Sequence, residues 1–179
     1  MTSDYPASVL ARAARVRLMI FDVDGILTDG SLHFGPDGEV MKTFNVLDGH
    51  GIKLLQQSGV ATAIISARQS SIVLRRASDL GILHVQQGVH DKHAGFLQLL
   101  EKCQLTPEDC GFVGDDVIDL PILTKVVFAA SVPNGHREVQ SRVHYVTAAA
   151  GGRGAARELC DLILRAQGNY EAALAPYLA

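Results

Sequence analysis

The sequence predicts an α/β fold on a doubly wound, mostly parallel sheet, and three observations carry that prediction. Apolar runs of strand length alternate with stretches of helical spacing along the chain, the pattern left by strand–helix crossovers. The first run, Leu18-Met19-Ile20-Phe21, is apolar at every position, as expected of a strand covered on both faces. Polar residues also follow the runs directly: Asp22 and Asp24 after the first, Ser66 after residues 60–65, Asp115 and Asp116 after residues 111–113. In an open parallel sheet, ligands bind outside the carboxyl ends of the strands, so residues placed there can converge on one site.

The elements follow in order. Residues 6–14 have the spacing of a short amphipathic helix ahead of the first strand. Segments 31–34 and 39–44 flank Gly35-Pro36-Asp37-Gly38 and read as a β-hairpin of about 31–44, since Pro and Gly supply the turn dihedrals. A helix is expected over 49–57 with Gly59 as its stop, a strand over 60–65, a helix over 70–80 stopped by Gly81, and a strand over 83–86. Lys92 follows Asp91 at the start of a helix over 92–103, and Thr106-Pro107-Glu108-Asp109 fits a cap with Pro at the first helical position. A strand at 111–113, a short helix after Asp119, strands at 126–130 and around 144–146, and a helix over 153–166 complete the pattern. The tail of about 168–179 is expected to be loosely ordered, and with no linker or repeat the chain reads as one domain, 1–179.

Composition excludes several classes. A net charge of -3 and a pI near 6.1 leave no basic footprint for nucleic acid, and the chain has no Trp for base stacking. No apolar stretch approaches the roughly 20 residues that span a bilayer, and the segment up to Arg17 lacks a signal peptide's apolar centre, so a cytoplasmic protein is expected. Cys103, Cys110 and Cys160 are odd in number and show no metal-ligand spacing, and are read as reduced packing residues.

The acidic pairs carry the chemistry. Side chains alternate along a strand, so Asp22 and Asp24 share a side, and Gly25 lets the chain turn just after them. Two carboxylates so close repel unless a cation separates them, and a hard, oxygen-seeking Mg²⁺ is the simplest occupant. Taken singly, each residue has a bland reading: an Asp-rich turn, Ser66 as a helix cap, Lys92 as a solvated helix start, Asp115 and Asp116 as acids at a helix N-terminus. Together, an acid pair, a hydroxyl, an ammonium and a second acid pair are what phosphoryl transfer requires.

The ordered set Asp22-x-Asp24, Ser66, Lys92 and Gly114-Asp115-Asp116 resembles the four signature motifs of haloacid dehalogenase superfamily phosphatases. Longer strings are similar to the 3-deoxy-D-manno-octulosonate 8-phosphate phosphatases within it: residues 21–30, Phe44-Asn45-Val46, Asp48-Gly49-His50-Gly51-Ile52, residues 114–119, Tyr145-Val146-Thr147 and residues 151–158. The resemblance implies a Mg²⁺-dependent phosphatase acting through an aspartyl-phosphate on that sugar acid phosphate, in lipopolysaccharide precursor synthesis. Asp22 would be the nucleophile, Asp24 the acid and then the base, Ser66 and Lys92 the groups that hold the phosphoryl oxygens. Asp22, Asp24 (through its main-chain carbonyl) and Asp115 would bind the metal, with Asp116 or Asp119 supporting metal-bound water or Lys92. Arg68 has the planar fork suited to a carboxylate or phosphate, and Asp48 and Gly49 join it as substrate-binding candidates. A small hairpin in place of a large cap leaves the site open in a monomer, and relatives of this group form homotetramers in which a neighbour's hairpin and tail help close it.

The chain departs from the family pattern twice. Ala67 stands where Gly commonly follows the Ser, and Leu47 stands where these phosphatases commonly carry Arg, which opens a nine-carbon keto-deoxy sugar acid 9-phosphate as the alternative substrate. Gly151-Gly152-Arg153-Gly154 reads equally as a phosphate nest or as a loop before a helix. Two other classes remain in view: a receiver-like phosphoacceptor, whose lone Asp after a middle strand is replaced here by Ser66-Ala67-Arg68, and a noncatalytic oligomeric module.

Overall fold

The run Leu18–Phe21 forms β1 at the centre of a six-stranded sheet, and all four of its residues are buried. This computed structural model describes residues 5–178; the first four residues and Ala179, the last residue of the tail, lie outside them. Beside β1 lie β4 (Ala61–Ile65) and β5 (His84–Gln86) on one side and β6 (Cys110–Val113), β7 (Phe128–Ser131) and β8 (Tyr145–Val146) on the other, every neighbouring pair parallel. A separate antiparallel hairpin pairs β2 (His33–Gly35) with β3 (Gly38–Met41) across Pro36-Asp37.

The uninterrupted apolarity of β1 has its reason in two cores. Met19 and Phe21 pack with α2 (Val46–Gln57), α3 (Ser71–Leu80) and α7 (Ala155–Ala166) on one face, through Ile52, Leu55, Val73, Leu159 and Ile163. Leu18 and Ile20 pack on the other face with α4 (Lys92–Cys103) and α5 (Leu120–Leu123), through Phe96, Leu99, Ile122 and Leu123. Period-two alternation therefore distributes one run between two layers, the arrangement of an α/β sandwich.

Helix ends obey local chemistry. Asn45, Ser70 and Asp91 cap α2, α3 and α4 by accepting from the amides of Leu47, Val73 and Ala94, and Gly81 closes α3 at φ +71°. The Asn45 cap starts α2 three residues before the expected 49. The tail is ordered, contrary to expectation: α8 (Tyr170–Leu174) and a 3₁₀ turn (Ala175–Tyr177) fold back, with the Arg165 guanidinium 3.5 Å from the Tyr170 ring centre and Tyr177 edge-on to His50 at 5.4 Å. The contact of Tyr177 with His50 joins residues too far apart in sequence for periodicity to reveal. A short α1 (Ala7–Ala13) precedes the sheet, and an unanticipated α6 (Arg137–Gln140) follows β7. Among the described residues no helix is long and apolar enough to cross a membrane, and all three cysteines are free.

Candidate active site

The strand order reverses between β1 and β6: β4 and β5 lie on one side of β1, whereas β6 begins the other wing. A crevice opens at such a switch point, beyond the strands' carboxyl ends. Asp22 leaves β1 there and Asp115 follows β6; Ser66 follows β4, and Lys92 enters from the first turn of α4. One cleft is lined by Asp22, Asp24, Ser66, Arg68, Lys92, Asp115 and Asp116.

Lys92 organises the floor. Its side chain is 1% exposed, and Nζ lies 2.5 Å from Asp119 Oδ1 and 3.1 Å from Asp22 Oδ1. Burial alone would lower its pKa, but the two carboxylates more than offset that, and Lys92 is held above the ordinary range as a cation. Burial, with the Asp119 charge adding to it, pushes Asp22 up to about 7 against the pull of Lys92, and burial followed by Asp119 and Asp116 pushes Asp115 up to about 6.

Oxygens of Asp22, Asp115 and Asp119 lie within 4.8 Å of one another, a hard donor set of the kind Mg²⁺ takes. Asp119 is already committed: Oδ1 accepts from Lys92, and Oδ2 accepts from the amides of Asp115 and Asp116 at 3.1 and 3.2 Å. Asp22, whose Oδ1 also meets Lys92, and Asp115 are thus the two less committed acids. Space is kept for Asp115 by Gly25, whose φ of +87° admits the turn after β1 and whose missing Cβ would overlap the Asp115 carboxylate. The residues present therefore fit a divalent cation.

The structure separates the two residues offered as support: Asp119 reaches Lys92, whereas exposed Asp116 caps the next 3₁₀ turn (Val117–Asp119) through the Val117 amide at 2.7 Å. Ser66 is buried at the cleft, its Oγ accepting weakly from the Arg68 amide at 3.4 Å. Arg68 reaches over the opening, with Nε 3.6 Å from Asp24 Oδ2. Asp48 and Gly49 are not brought to this cleft. Asp48 is buried and accepts from the amides of Gly154 and Arg157 at 3.3 and 2.8 Å, binding α2 to the start of α7, while Gly49 faces Arg76. Nor is 151–154 an anion nest: the amides of Gly151, Gly152 and Gly154 donate to Asn134 Oδ1, the Ile26 carbonyl and Asp48, and Gly151 lies against the Gly25 carbonyl.

Two site residues escaped sequence reasoning. Lys42, just past β3, is buried with Nζ 2.5 Å from Asp24 Oδ1 and 2.9 Å from Glu39 Oε1. Burial alone would lower its pKa, yet its hydrogen bonds to Asp24 and Glu39 hold it raised. No local signal marked either residue, because charged side chains in a hairpin ordinarily face water.

Comparison with known proteins agrees with this geometry. A haloacid dehalogenase-like hydrolase family model matches residues 55–159. The 3-deoxy-D-manno-octulosonate 8-phosphate phosphatase of Escherichia coli K12 is 46% identical over 93% of this chain and 89% of its own. A crystal structure of a probable yrbi family phosphatase from Pseudomonas syringae superposes with a TM-score of 0.95 at 49% identity, covering 97% of this chain and 99% of that one. The Moraxella catarrhalis 3-deoxy-D-manno-octulosonate 8-phosphate phosphatase, solved with magnesium, phosphate and KDO, superposes at 0.94 with 40% identity, covering 97% and 99%. With the signature residues gathered at the switch point and relatives matching nearly end to end, the chain belongs to the haloacid dehalogenase-like hydrolases.

Proposed function

We propose that this chain is a Mg²⁺-dependent phosphatase that hydrolyses 3-deoxy-D-manno-octulosonate 8-phosphate to the free sugar acid and inorganic phosphate, supplying lipopolysaccharide precursor synthesis in the cytoplasm. The observation that carries the reading is the convergence of Asp22, Asp24, Ser66, Lys92 and Asp115 on one cleft, in a chain 46% identical to curated phosphatases of that substrate. Asp22 and Asp115 would hold Mg²⁺ by side-chain oxygens, with Asp24 adding its main-chain carbonyl. When bound, the ion offsets charge on the phosphoryl oxygens.

Asp22 attacks phosphorus: its oxygen–phosphorus bond forms as the bond to the sugar oxygen breaks, and that oxygen takes a proton from the Asp24 carboxyl group. Asp24, now ionised, accepts a proton from water as the water's oxygen attacks phosphorus and the bond to Asp22 breaks, releasing phosphate and restoring both groups. Lys92 and Ser66 hold the phosphoryl oxygens through both displacements. Asp119 acts through Lys92, keeping the ammonium aimed at Asp22. Arg68, part-exposed at the mouth, is the group assigned to the sugar acid.

The whole chain acts as one catalytic domain, and a homotetramer closes its open site. Exposed apolar residues on and near the hairpin, Phe34, Val40, Met41, Val46 and Leu47, support such an assembly, since apolar surface of this kind marks interaction sites. Leu47, 55% exposed where relatives commonly carry Arg, keeps the nine-carbon acid as the second reading. Phosphate release, with Mg²⁺ and with chelator, is measured on matched eight- and nine-carbon keto-deoxy sugar acid phosphates and on hexose phosphates. Selective, Mg²⁺-dependent release from the eight-carbon substrate is expected; preference for the nine-carbon acid replaces the substrate, and no release from any of them defeats the enzymatic reading.

A further inference from the structure

We infer that Lys42 is a positioning residue for proton transfer, through which the β2–β3 hairpin sets the orientation of the Asp24 carboxylate. The inference rests on the proton-transfer role proposed for Asp24. A Lys leaving a surface hairpin ordinarily keeps its ammonium in water and is almost never fully buried unless paired. Here the side chain is 1% exposed and its ammonium bridges Asp24 Oδ1 at 2.5 Å and Glu39 Oε1 at 2.9 Å. Glu39 is fixed in turn, its second carboxylate oxygen accepting from the hydroxyl of Ser70, the cap of α3. The Ser70 amide donates to Gln87 Oε1 at 2.6 Å, tying the chain of contacts to the segment just past β5. The other Asp24 oxygen faces Arg68, whose guanidinium lies 5.5 Å from the ring centre of Phe34 in β2. Each oxygen of Asp24 thus meets a cation that the hairpin seats, Lys42 by Glu39 and Arg68 by Phe34.

This arrangement answers a geometric need. A terminal carboxylate rotates in a broad, two-fold well, yet a proton donor must bring one oxygen within hydrogen-bond reach of the departing oxygen. Anchoring Oδ1 on a buried ammonium fixes the carboxylate plane and leaves Oδ2 on the cleft side beside Arg68. Lys42 does not line the cleft, so it acts through Asp24 rather than on substrate. A misplacement of about 1 Å at a reacting group costs on the order of 10²-fold in rate.

The test uses leaving groups. The sugar alkoxide needs a proton to depart, whereas the p-nitrophenolate of p-nitrophenyl phosphate does not, and kcat/KM reports the steps through that departure. Lys42→Met is compared with Glu39→Gln/Lys42→Met, which removes the carboxylate charge that the single variant would leave without its ammonium, and with Asp24→Asn as reference; folding is followed by circular dichroism and thermal melting. Both Lys42 variants are expected to lose roughly 30-fold or more on 3-deoxy-D-manno-octulosonate 8-phosphate and less than about 5-fold on p-nitrophenyl phosphate, the selectivity Asp24→Asn shows more strongly. Equal losses on both substrates, or no loss, from folded Lys42 variants overturn the positioning role while a selective Asp24→Asn leaves the proposed function standing. An Asp24→Asn variant without selectivity removes the proton-transfer role itself, and the positioning role with it.

Discussion

Removing the metal should invert the usual dependence of stability on pH, and Asp22→Asn should weaken the inversion. In the metal-free protein burial, with the Asp119 charge adding to it, pushes Asp22 from 3.8 up to about 7. Between those values the native state holds a proton that the unfolded chain has released. Stability changes with pH in proportion to protons bound in the unfolded state minus those bound in the native state, so this group contributes a falling slope of about 1.4 kcal/mol per pH unit. Across the window of about three units the loss is on the order of 4 kcal/mol, complete once pH passes the folded value and absent below the unfolded one. Asp115, held up to about 6, adds a contribution of the same sign. Urea unfolding from pH 4.5 to 7.5 is run with chelator, with excess Mg²⁺, and on chelated Asp22→Asn, whose neutral amide has no proton to lose. The expected result is a stability that falls with pH in the chelated wild type, falls less steeply in Asp22→Asn, and is recovered near pH 7 by Mg²⁺, which at about 100 times its Kd adds roughly 2.7 kcal/mol. Parallel curves for wild type and Asp22→Asn in chelator would refute the electrostatic account of the site.

Lys92→Met should abolish most turnover and destabilise the fold by about 3–5 kcal/mol, because Asp119 is left as a buried anion; Lys92→Met/Asp119→Asn should recover part of the stability but not the activity, checked by denaturant unfolding and phosphate release. Gly25→Ala should cost about 1–2 kcal/mol for the left-handed backbone and push the Asp115 carboxylate aside, raising the Mg²⁺ concentration needed for half-maximal activity at least 10-fold; an unchanged Mg²⁺ titration would contradict the placement of Asp115. Arg68→Ala should raise KM for the sugar acid phosphate roughly 10-fold and change KM for p-nitrophenyl phosphate much less, as measured by steady-state kinetics.

Much of the site was legible because it sits where a parallel sheet puts it. A strand's end fixes where the next residues emerge, so Asp22 and Asp24 after β1, Ser66 after β4 and Asp115 after β6 could be read as neighbours from the short apolar runs that precede them. The doubly wound class was legible for the same reason, since Leu18–Phe21 needs two apolar covers and the intervening helices supply them. Asp48 shows where this reasoning ends: an acid before a glycine in the first turn of α2 looks available to a ligand, yet its carboxylate is consumed by the amide of Arg157, 109 residues away.

By itself, the sequence determined the sheet, the order of its motifs and the chemical types that meet at the switch point, because each of these is written in a local period or in the few residues after a strand. Tertiary structure alone decided which acid serves Lys92, that the tail folds back onto α2, and that Glu39 and Lys42 lie beneath Asp24. A charged residue in a hairpin carries no local mark of burial; whether its ammonium meets water or a carboxylate depends on where the hairpin crosses the molecule, and that is settled by packing between segments far apart in the chain.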